Sequence, residues 1–384
     1  MKTPATRMKD ISPSLIRRLF DLAQGIEGII SLGIGEPDFN TPEHIKTAAK
    51  QALDDNFTHY MPVPGTLELR LAIADYLNET YGLDYKPESE IVLTCGATEA
   101  LHDIMLAYVN PGDEVLVPDP GFLGYPEYVR MAAGNPVWYP CPEENSFQPD
   151  LDALNELVTK KTVMILINSP CNPTGAVFER KTLEGIAEIA IDNDLFIVSD
   201  EVYEKFIYES EHVPISSLGV ADRTILVNGF SKTFSMTGWR LGYICGDAEV
   251  INAVNIAHMF TTVTTPSFAQ KAALTALKGP KESIKEMKDE YRWRRDFFVK
   301  ELNKIDNISC IIPNGAFYAF PNISAFGKTS VEFSEYLIEK AKVVTVPGNA
   351  FGSNIGEGHV RMSYACTREN LKEALSRIRE VINI

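Results

Sequence analysis

Between residues 90 and 245, short apolar runs alternate with longer stretches in which apolar residues recur at helical spacing. The short runs predict buried strands, at residues 91–93, 114–117, 163–167, 196–198, 225–227 and 241–245. Two of the intervening stretches, 98–109 and 179–193, predict amphipathic helices. This alternation predicts an α/β fold whose large, mostly parallel sheet is covered by helices on both faces.

The pattern changes after about residue 280. A charged helical stretch at 281–303 is followed by an Asn-Gly turn at 314–315, a strand-like segment at 316–320 and a final helix from about residue 367. These features predict a smaller α+β domain. Residues 1–40 are too few to fold alone, so we expect them to pack against this C-terminal unit. The predicted division is a large domain at 41–280 and a small domain formed by 1–40 and 281–384.

The composition limits the classes of protein to consider. The chain has 384 residues, 45% hydrophobic and 23% charged, which suffices for two or three domains and a large core. Its net charge of −16 opposes binding to nucleic acids or anionic membranes, so an anionic ligand must meet a local cationic pocket.

The spacing of the cysteines and histidines and the length of the apolar runs allow further predictions. The six cysteines form no C-x-x-C pair and the six histidines show no zinc-ligand spacing, so we expect no metal site and a reducing, cytoplasmic environment. No apolar run reaches the length of a membrane helix.

Ligands of open α/β sheets bind at the carboxyl ends of the strands, so residues just after the apolar runs are the first candidates. Gly96, Ala97 and Thr98 follow the first run and begin a helix, where small residues and free N–H groups favour a phosphate. The segment is not a Walker A motif, and 33–38 fails the dinucleotide fingerprint. A plain strand-to-helix connection is the alternative for Gly96.

Two more candidates follow the next runs. The segment 168–175 holds two prolines and a glycine in a rigid turn that could aim the amide of Asn172, although a tight connection would look the same. Asp200 ends the run at 196–198, and Tyr203 lies three residues on. The alternative for Asp200 is a solvated loop acid.

Cationic residues complete the set. Lys232 lies between a buried strand and a Gly-rich apolar loop, where burial would lower its pKa and give a nucleophilic amine. Ser231 and Arg240 suit phosphate through a hydroxyl and a guanidinium. Arg361, the one cation of the strand-like segment 358–364, could clamp a carboxylate. Exposed, solvated side chains are the alternative for Lys232 and Arg361.

Together these residues offer a phosphate cradle, an acid, a phenol, an amide, an amine nucleophile and a carboxylate clamp, which suits pyridoxal 5′-phosphate chemistry on an amino acid. From Gly33 to Arg361 the chain resembles the class I/II aminotransferases of the aspartate aminotransferase superfamily, fold type I among pyridoxal-phosphate enzymes. The resemblance is greatest to their bacterial and archaeal aspartate/aromatic branch, and its most specific part runs from Ser231-Lys232 to Gly238-Trp239-Arg240.

The resemblance implies a role for each residue. Lys232 would be the lysine that joins the cofactor, Asp200 would pair with the ring nitrogen, and Tyr203 and Asn172 would bind the ring's O3′. The implied phosphate ligands are Gly96, Ala97, Thr98, Ser231 and Arg240, with Tyr60 reaching the phosphate of a neighbouring subunit in a homodimer. Phe122 would stack on the ring, and Arg361, Asn172 and Gly35 would bind the substrate.

The implied reaction is ping-pong transfer of the amino group of an L-amino acid, aspartate or aromatic, to a 2-oxo acid such as 2-oxoglutarate. Residues 87–129 and 254–270 contain no Lys or Arg, which disfavours strict dicarboxylate specificity if they line the pocket. The segment around 11–22 is expected to close over substrate. A C–S β-lyase on the same scaffold is the main alternative. A transcription regulator with an aminotransferase-like domain is disfavoured by the net charge and by the start of the fold near residue 1.

Overall fold

The structure is a computed structural model that describes residues 3, 5–8, 11, 21–22 and 24–382. The helices are α1 (Glu43–Asp54), α2 (Leu67–Tyr81), α3 (Ala97–Tyr108), α4 (Gly124–Met131), α5 (Leu151–Glu156), α6 (Arg180–Asp192), α7 (Ala248–Thr261), α8 (Ser267–Lys278), α9 (Glu282–Leu302), α10 (Ser330–Tyr336) and α11 (Arg368–Ile382). The strands are β1 (Ile30–Ser31), β2 (Ile91–Thr94), β3 (Glu114–Asp119), β4 (Asn135–Pro140), β5 (Thr162–Asn168), β6 (Phe196–Asp200), β7 (Thr224–Gly229), β8 (Gly242–Cys245), β9 (Tyr318–Ala319), β10 (Val343–Val344), β11 (Val346–Pro347) and β12 (Val360–Ser363).

The central sheet has seven strands in the order β2-β8-β7-β6-β5-β3-β4. Its pairs from β7 to β4 are parallel, and β8 runs antiparallel to both of its neighbours. The register places Asn168 opposite Asp200, so two candidate site residues lie side by side at the carboxyl edge. The mostly parallel α/β sheet predicted from the sequence is therefore confirmed.

Both faces of this sheet are buried. Val117 and Val227 pack into a cluster with residues of α3, α4 and α7, whereas Ile165 and Ile197 contribute to a cluster on the opposite face that includes residues of α6. Strands covered on both faces need apolar residues at consecutive positions. This explains why they read as uninterrupted apolar runs.

The C-terminal unit has a core of its own. β9, β11 and β12 form a three-stranded antiparallel sheet, and β1 pairs in parallel with β10, with Ile30 opposite Val343. The N-terminal residues Ile30 and Leu32 share a hydrophobic cluster with residues of α9 and α11. The strand predicted at 316–320 is only Tyr318–Ala319. The domain limits at 40 and 280 stay a prediction.

The same cluster includes Tyr203 and Phe206, which follow β6 of the central sheet, and Phe317 beside β9. The carboxyl edge of the large sheet thus lies against the C-terminal unit. Within the described part of the chain, no helix combines the length and apolarity needed to cross a membrane. The predicted closing segment around 11–22 lies mostly outside the described residues.

Candidate active site

A cavity of about 460 Å³ opens at the edge of the sheet where β5, β6 and β7 end. Its walls come from loops that are far apart in sequence, which is the arrangement expected at the carboxyl edge of an open sheet. The predicted site residues that line it are Gly35, Ala97, Thr98, Phe122, Asn172, Asp200, Tyr203, Ser231, Lys232, Arg240 and Arg361.

Lys232 follows β7 and lies inside this cavity. Its Nζ donates a hydrogen bond to the carbonyl oxygen of Gly35 at 2.6 Å and lies 5.8 Å from the ring centre of Tyr203. Burial lowers the pKa of Lys232 to about 8, and the positive charge of Arg361 acts in the same direction, against Glu36 and Asp200. A lysine with this pKa is partly neutral near pH 7, as a nucleophilic amine must be.

Asp200 ends β6 and is buried, with 5% of its surface exposed. Its Oδ2 accepts a hydrogen bond from the Tyr125 hydroxyl at 2.8 Å, and its Oδ1 accepts one from the backbone N–H of Val202 at 3.3 Å. Burial raises the pKa of Asp200 to about 6, although both hydrogen bonds oppose the rise. The alternative of a solvated loop acid is therefore wrong.

Asn168, at the end of β5, fixes the loop that carries Asn172. Its Nδ2 donates to the backbone oxygen of Asp200 at 2.9 Å, and its Oδ1 accepts from the backbone N–H of Asn172 at 2.8 Å. One buried amide thus connects the ends of two neighbouring strands. Such support from a rigid element holds a binding side chain in one orientation.

Arg361 lies in β12 and is 4% exposed, so the alternative of a solvated strand arginine is wrong. Its Nη1 donates to Asn172 Oδ1 at 2.9 Å and its Nη2 to the backbone oxygen of Gly33 at 2.7 Å. Its Cζ lies 4.6 Å from the ring centre of Tyr318.

The guanidinium of Arg361 has no anionic partner in the described chain. Burial lowers the pKa of Arg361, and the groups that oppose this effect are the hydroxyls of Tyr318 and Tyr203, with no acid among them. Its buried Nε has no hydrogen-bond partner among the residues that the structure describes. Because an uncompensated buried charge is costly, this guanidinium is suited to an anionic ligand.

Two tyrosines connect the amine and guanidinium ends of the cavity. The hydroxyls of Tyr203 and Tyr318 are 2.8 Å apart, and burial raises the pKa of both, so both stay protonated at neutral pH. Tyr318 lines the cavity although sequence reasoning assigned it no role in the site. Tyr203 therefore has a neutral hydroxyl that can donate to a ligand atom.

The part of the cavity beside the start of α3 has the features of an anion-binding cradle. Helix α3 begins there at Ala97, and Ala97, Thr98 and Ser231 line the wall beside Arg240. Arg240 Nη1 donates to the Thr237 backbone oxygen at 2.9 Å. The first N–H groups of a helix and a guanidinium together favour a phosphate.

Gly96 lies next to this cradle but is not part of the cavity wall. Its φ of +83° is in the left-handed region, and a Cβ built on it would lie 2.8 Å from Arg240 Nη2. A glycine is therefore needed for Arg240 to approach the start of α3.

Phe122 and Tyr60 have different surroundings. Phe122 lines the cavity and packs edge-to-face on Tyr125, with ring centres 5.4 Å apart. Tyr60 lies outside the cavity, and 83% of its surface is exposed in the single chain. Its predicted role in a neighbouring subunit stays a prediction.

One group of three possible metal ligands occurs in the described part of the chain: Glu99, Asp103 and His258. His258 Nδ1 lies 2.9 Å from Glu99 Oε1 and 3.8 Å from Asp103 Oδ2, and its Nε2 lies 3.1 Å from the Val63 backbone oxygen. Each imidazole nitrogen therefore lies near an oxygen of the protein. We interpret this group as a hydrogen-bonded contact that holds the first turn of α3 against α7.

Sequence reasoning missed several residues that line the cavity: Tyr125, Tyr318, Glu36 and Thr237. Glu36 Oε2 accepts a hydrogen bond from the Thr237 hydroxyl at 2.7 Å, which closes the cavity between the N-terminal segment and the loop after β7. The position of Tyr318 in a predicted strand was the only signal for that residue. Tyr125 gave none, since aromatic residues are common in cores.

Comparison with known proteins identifies the family. The model for "Aminotransferase class I and II" matches residues 27–378. The chain is 47% identical over 98% of its length to the aromatic-amino-acid aminotransferase 2 of Thermococcus litoralis, and 47% identical over 98% to the aspartate aminotransferase of Pyrococcus abyssi, in each case covering 97% of the relative. The solved structure of an aromatic aminotransferase from Pyrococcus horikoshii is 45% identical, with a TM-score of 0.91 over 96% of this chain and 98% of that one.

The chain therefore belongs to the class I and II aminotransferases and has their fold, fold type I. It is an amino-acid aminotransferase. The family resemblance noted from the motifs is confirmed.

Proposed function

We propose that this aminotransferase uses pyridoxal 5′-phosphate to move the amino group of an L-amino acid, aromatic or aspartate, to a 2-oxo acid such as 2-oxoglutarate in a ping-pong reaction. The observation that carries the proposal is the presence, in one cavity, of a buried amine at Lys232, a buried acid at Asp200 and a buried, unpaired guanidinium at Arg361.

The donor set fits this cofactor. The start of α3, Ser231 and Arg240 suit its phosphate, and the buried carboxylate of Asp200 suits a protonated ring nitrogen. Tyr203 and Asn172 suit its phenolic oxygen, and Phe122 offers an aromatic face for its ring. When bound, pyridoxal 5′-phosphate supplies an aldehyde that condenses with amines and a ring that accepts the electron pair released at the substrate's α-carbon.

Asp200 would act through its charge. Its pKa of about 6 means that near neutral pH it is mostly ionised before any ligand binds, and a cationic nitrogen beside it would stabilise the ionised form further. The Tyr125 hydroxyl holds the carboxylate in place from behind. The ionised acid would therefore keep a ring nitrogen protonated.

Lys232 would act first as the covalent attachment point and then as the base. Once a substrate amine has displaced it, its Nζ is free to remove the proton of the substrate's α-carbon and to deliver a proton back. A pKa of about 8 suits both directions of transfer near neutral pH. The Gly35 carbonyl at 2.6 Å would hold the displaced amine within the cavity.

Arg361 would bind the α-carboxylate of the amino acid. Asn172 and Gly33 fix the plane of its guanidinium from one side, so its remaining N–H groups are available to a planar anion. Orientation of the α-carboxylate would also fix the α-hydrogen relative to Lys232. Both substrates of a ping-pong reaction carry this carboxylate, so one clamp serves both.

The cavity walls favour a broad or aromatic donor range. Within 87–129, the residues that line the cavity are uncharged, and residues of 254–270 do not line it in the single chain. The cations among its described walls are Lys232, Arg240 and Arg361, each already assigned to another group. Among the described residues, a second carboxylate on the substrate therefore has no dedicated cation, and we rank aromatic donors above aspartate.

We further propose a cytoplasmic homodimer in which Tyr60 reaches the partner's cofactor phosphate. Tyr60 is 83% exposed and Phe260 is 82% exposed, so both rings are available to a partner subunit, and aromatic residues are enriched in such interfaces. Light scattering of the purified protein tests the dimer.

A single-turnover experiment tests the reaction. The cofactor-loaded enzyme is mixed with one L-amino acid and no acceptor, and the 2-oxo acid is quantified. We expect about one equivalent of product per site, with continued turnover only after 2-oxoglutarate is added. The Lys232→Ala variant is the control and should release none.

A different outcome would identify the alternative enzyme. If a sulfur amino acid gave pyruvate, ammonia and a thiol over many turnovers with no acceptor, the chain would be a C–S β-lyase instead. If neither reaction occurred with any amino acid, the proposed function would be wrong.

A further inference from the structure

A second cavity, of about 650 Å³, lies between α2, the end of α8 and the first half of α9. In the described part of the chain, this cavity shares no lining residue with the one at the carboxyl edge of the sheet. Nothing in the reaction described above uses it. It is the larger of the two by volume.

Five lysines line this second cavity: Lys205, Lys278, Lys281, Lys285 and Lys288. Among the described residues, the acids on its wall are Asp75 and Glu79 of α2. In a chain with a net charge of −16, such a local excess of cations opposes the overall balance. Lysines grouped around one cavity repel one another, and a bound anion would offset that repulsion.

Two of the lysines have partners within the protein. Lys205 Nζ lies 3.3 Å from Glu204 Oε2, and Lys281 Nζ donates to the Ala276 backbone oxygen at 2.7 Å. Lys205 Nζ also donates to the Tyr81 hydroxyl at 3.2 Å, and Lys281 Nζ also donates to the Leu277 backbone oxygen, so these two ammonium groups are fixed at the wall and contribute mainly their charge.

The remaining three, Lys278, Lys285 and Lys288, make no hydrogen bond or ion pair with the described residues. Residues 281, 285 and 288 are spaced by four and three along α9, so these lysines share one helix face. The ammonium groups of Lys285 and Lys288, one turn apart on this face, and that of Lys278 on α8 therefore line one cavity and remain available to a ligand.

Two further observations support a ligand in this cavity. The hydroxyl of Thr233, on its wall, is buried and has no hydrogen-bond partner in the described chain. Burial lowers the pKa of Lys288, and the positive charges of Arg292 and Lys205 act in the same direction. A bound anion would accept a hydrogen bond from the Thr233 hydroxyl and would stabilise the charged form of Lys288.

We propose that this cavity binds a small phosphorylated anion, a phosphate ester or a diphosphate. Lysine ammonium groups bind phosphate as point charges from several directions, and several lysines can share the oxygens of one such group. The acids on α2 and the overall negative charge would repel a long polyanion such as nucleic acid. The ligand is therefore a small molecule.

The second cavity includes a neighbour in sequence of the catalytic lysine and lies at the predicted border between the domains. Thr233 is the residue after Lys232, and α9 is the first helix beyond the predicted domain border at 280. An anion bound here would join α2 and α8 of the central part to α9 of the C-terminal unit.

Titration of the enzyme with pyrophosphate, followed by calorimetry, tests the proposal. The protein is first loaded with one equivalent of pyridoxal 5′-phosphate per chain and freed of excess by gel filtration, so that the cradle beside Arg240 is occupied and the second cavity is not. We expect saturable binding, one anion per chain, that weakens as salt is added. In the Lys285→Gln/Lys288→Gln variant the affinity should fall by roughly tenfold per lysine removed, because each loses a charge-assisted contact.

A matched control variant distinguishes binding in this cavity from a general effect of the protein's net charge. The Lys181→Gln/Lys300→Gln variant changes the net charge equally at two exposed lysines outside the cavity, and its affinity should equal that of the original protein. Unchanged thermal unfolding midpoints would show that both variants are folded. The proposal is overturned if pyrophosphate shows no saturable binding, if both variants lose affinity equally, or if citrate binds more tightly than pyrophosphate.

Discussion

Deletion of the Tyr125 hydroxyl should change how the stability of the cofactor-free protein depends on pH. That hydroxyl donates to Asp200 Oδ2 at 2.8 Å, in a buried place where the pKa of Asp200 is already about 6. A hydrogen bond to a charged group contributes about 1.5–3 kcal/mol, and one pKa unit equals about 1.4 kcal/mol. The Tyr125→Phe variant should therefore raise the pKa of Asp200 by about 1–2 units.

The sign follows from proton linkage. An acid with a raised pKa keeps its proton to higher pH in the folded protein than in the unfolded chain, so its contribution to stability falls as pH rises between the two values. In the original protein this fall ends near pH 6, and in Tyr125→Phe it continues to about pH 7–8. The destabilisation caused by Tyr125→Phe should thus grow by about 1–2 kcal/mol between pH 5 and pH 8.

Urea unfolding of the cofactor-free protein at several pH values measures this effect. Tyr139→Phe is the matched control, because the buried Tyr139 hydroxyl donates to a neutral acceptor, the Leu166 backbone oxygen, at 2.9 Å. Its effect on stability should be the same at pH 5 and pH 8. If the two variants showed the same pH dependence, the reasoning about Asp200 would be refuted.

Three other substitutions test separate parts of the site. Arg361→Lys loses the two parallel hydrogen bonds to the α-carboxylate, so KM for the donor should rise by about 10- to 100-fold in steady-state kinetics, and an unchanged KM would contradict the clamp. In Gly35→Ala the new Cβ would lie 2.8 Å from Tyr318 Oη, so the free energy of unfolding, measured with urea, should fall by about 1–3 kcal/mol. An unchanged free energy of unfolding would show that the Tyr318 ring can move aside without cost. Glu99→Gln weakens the buried hydrogen bonds that Glu99 Oε1 makes with His258 and Thr262, so the free energy of unfolding should fall by about 1–3 kcal/mol, whereas an unchanged value would argue against a structural role for this contact.

Much of the central fold could be predicted because it depends on burial alone. The strands β2, β3, β5, β6, β7 and β8 all coincide with predicted apolar runs, since a strand covered on both faces must be apolar throughout. Strand β4 was missed because its segment, Asn135–Pro140, contains two prolines and reads as a turn. It lies at the edge of the sheet, where a missing backbone donor is tolerated.

The site was predictable to the extent that its residues follow strands. Asp200 and Lys232 each come within three residues of a strand end, and the topology brings such positions together. Tyr125 could not be found in this way, because it lies inside α4 and reaches Asp200 only through tertiary packing. Tyr318 comes from the C-terminal unit, and its approach to Tyr203 depends on how that unit packs against the sheet.

The five-lysine cavity was likewise invisible in the sequence. Residues 281, 285 and 288 read as part of the charged face of a helix, which is normally solvated. Only the packing of α9 beside α2 and Lys205 shows that these charges surround one cavity.

The most direct test of the account is the site of covalent attachment of the cofactor. The protein is incubated with pyridoxal 5′-phosphate, reduced with borohydride, digested and analysed by mass spectrometry. The account predicts a modified peptide in which Lys232 alone carries the reduced cofactor, and no modified peptide from the Lys232→Ala variant. Modification of a different lysine in the original protein, or no stable modification at all, would contradict it.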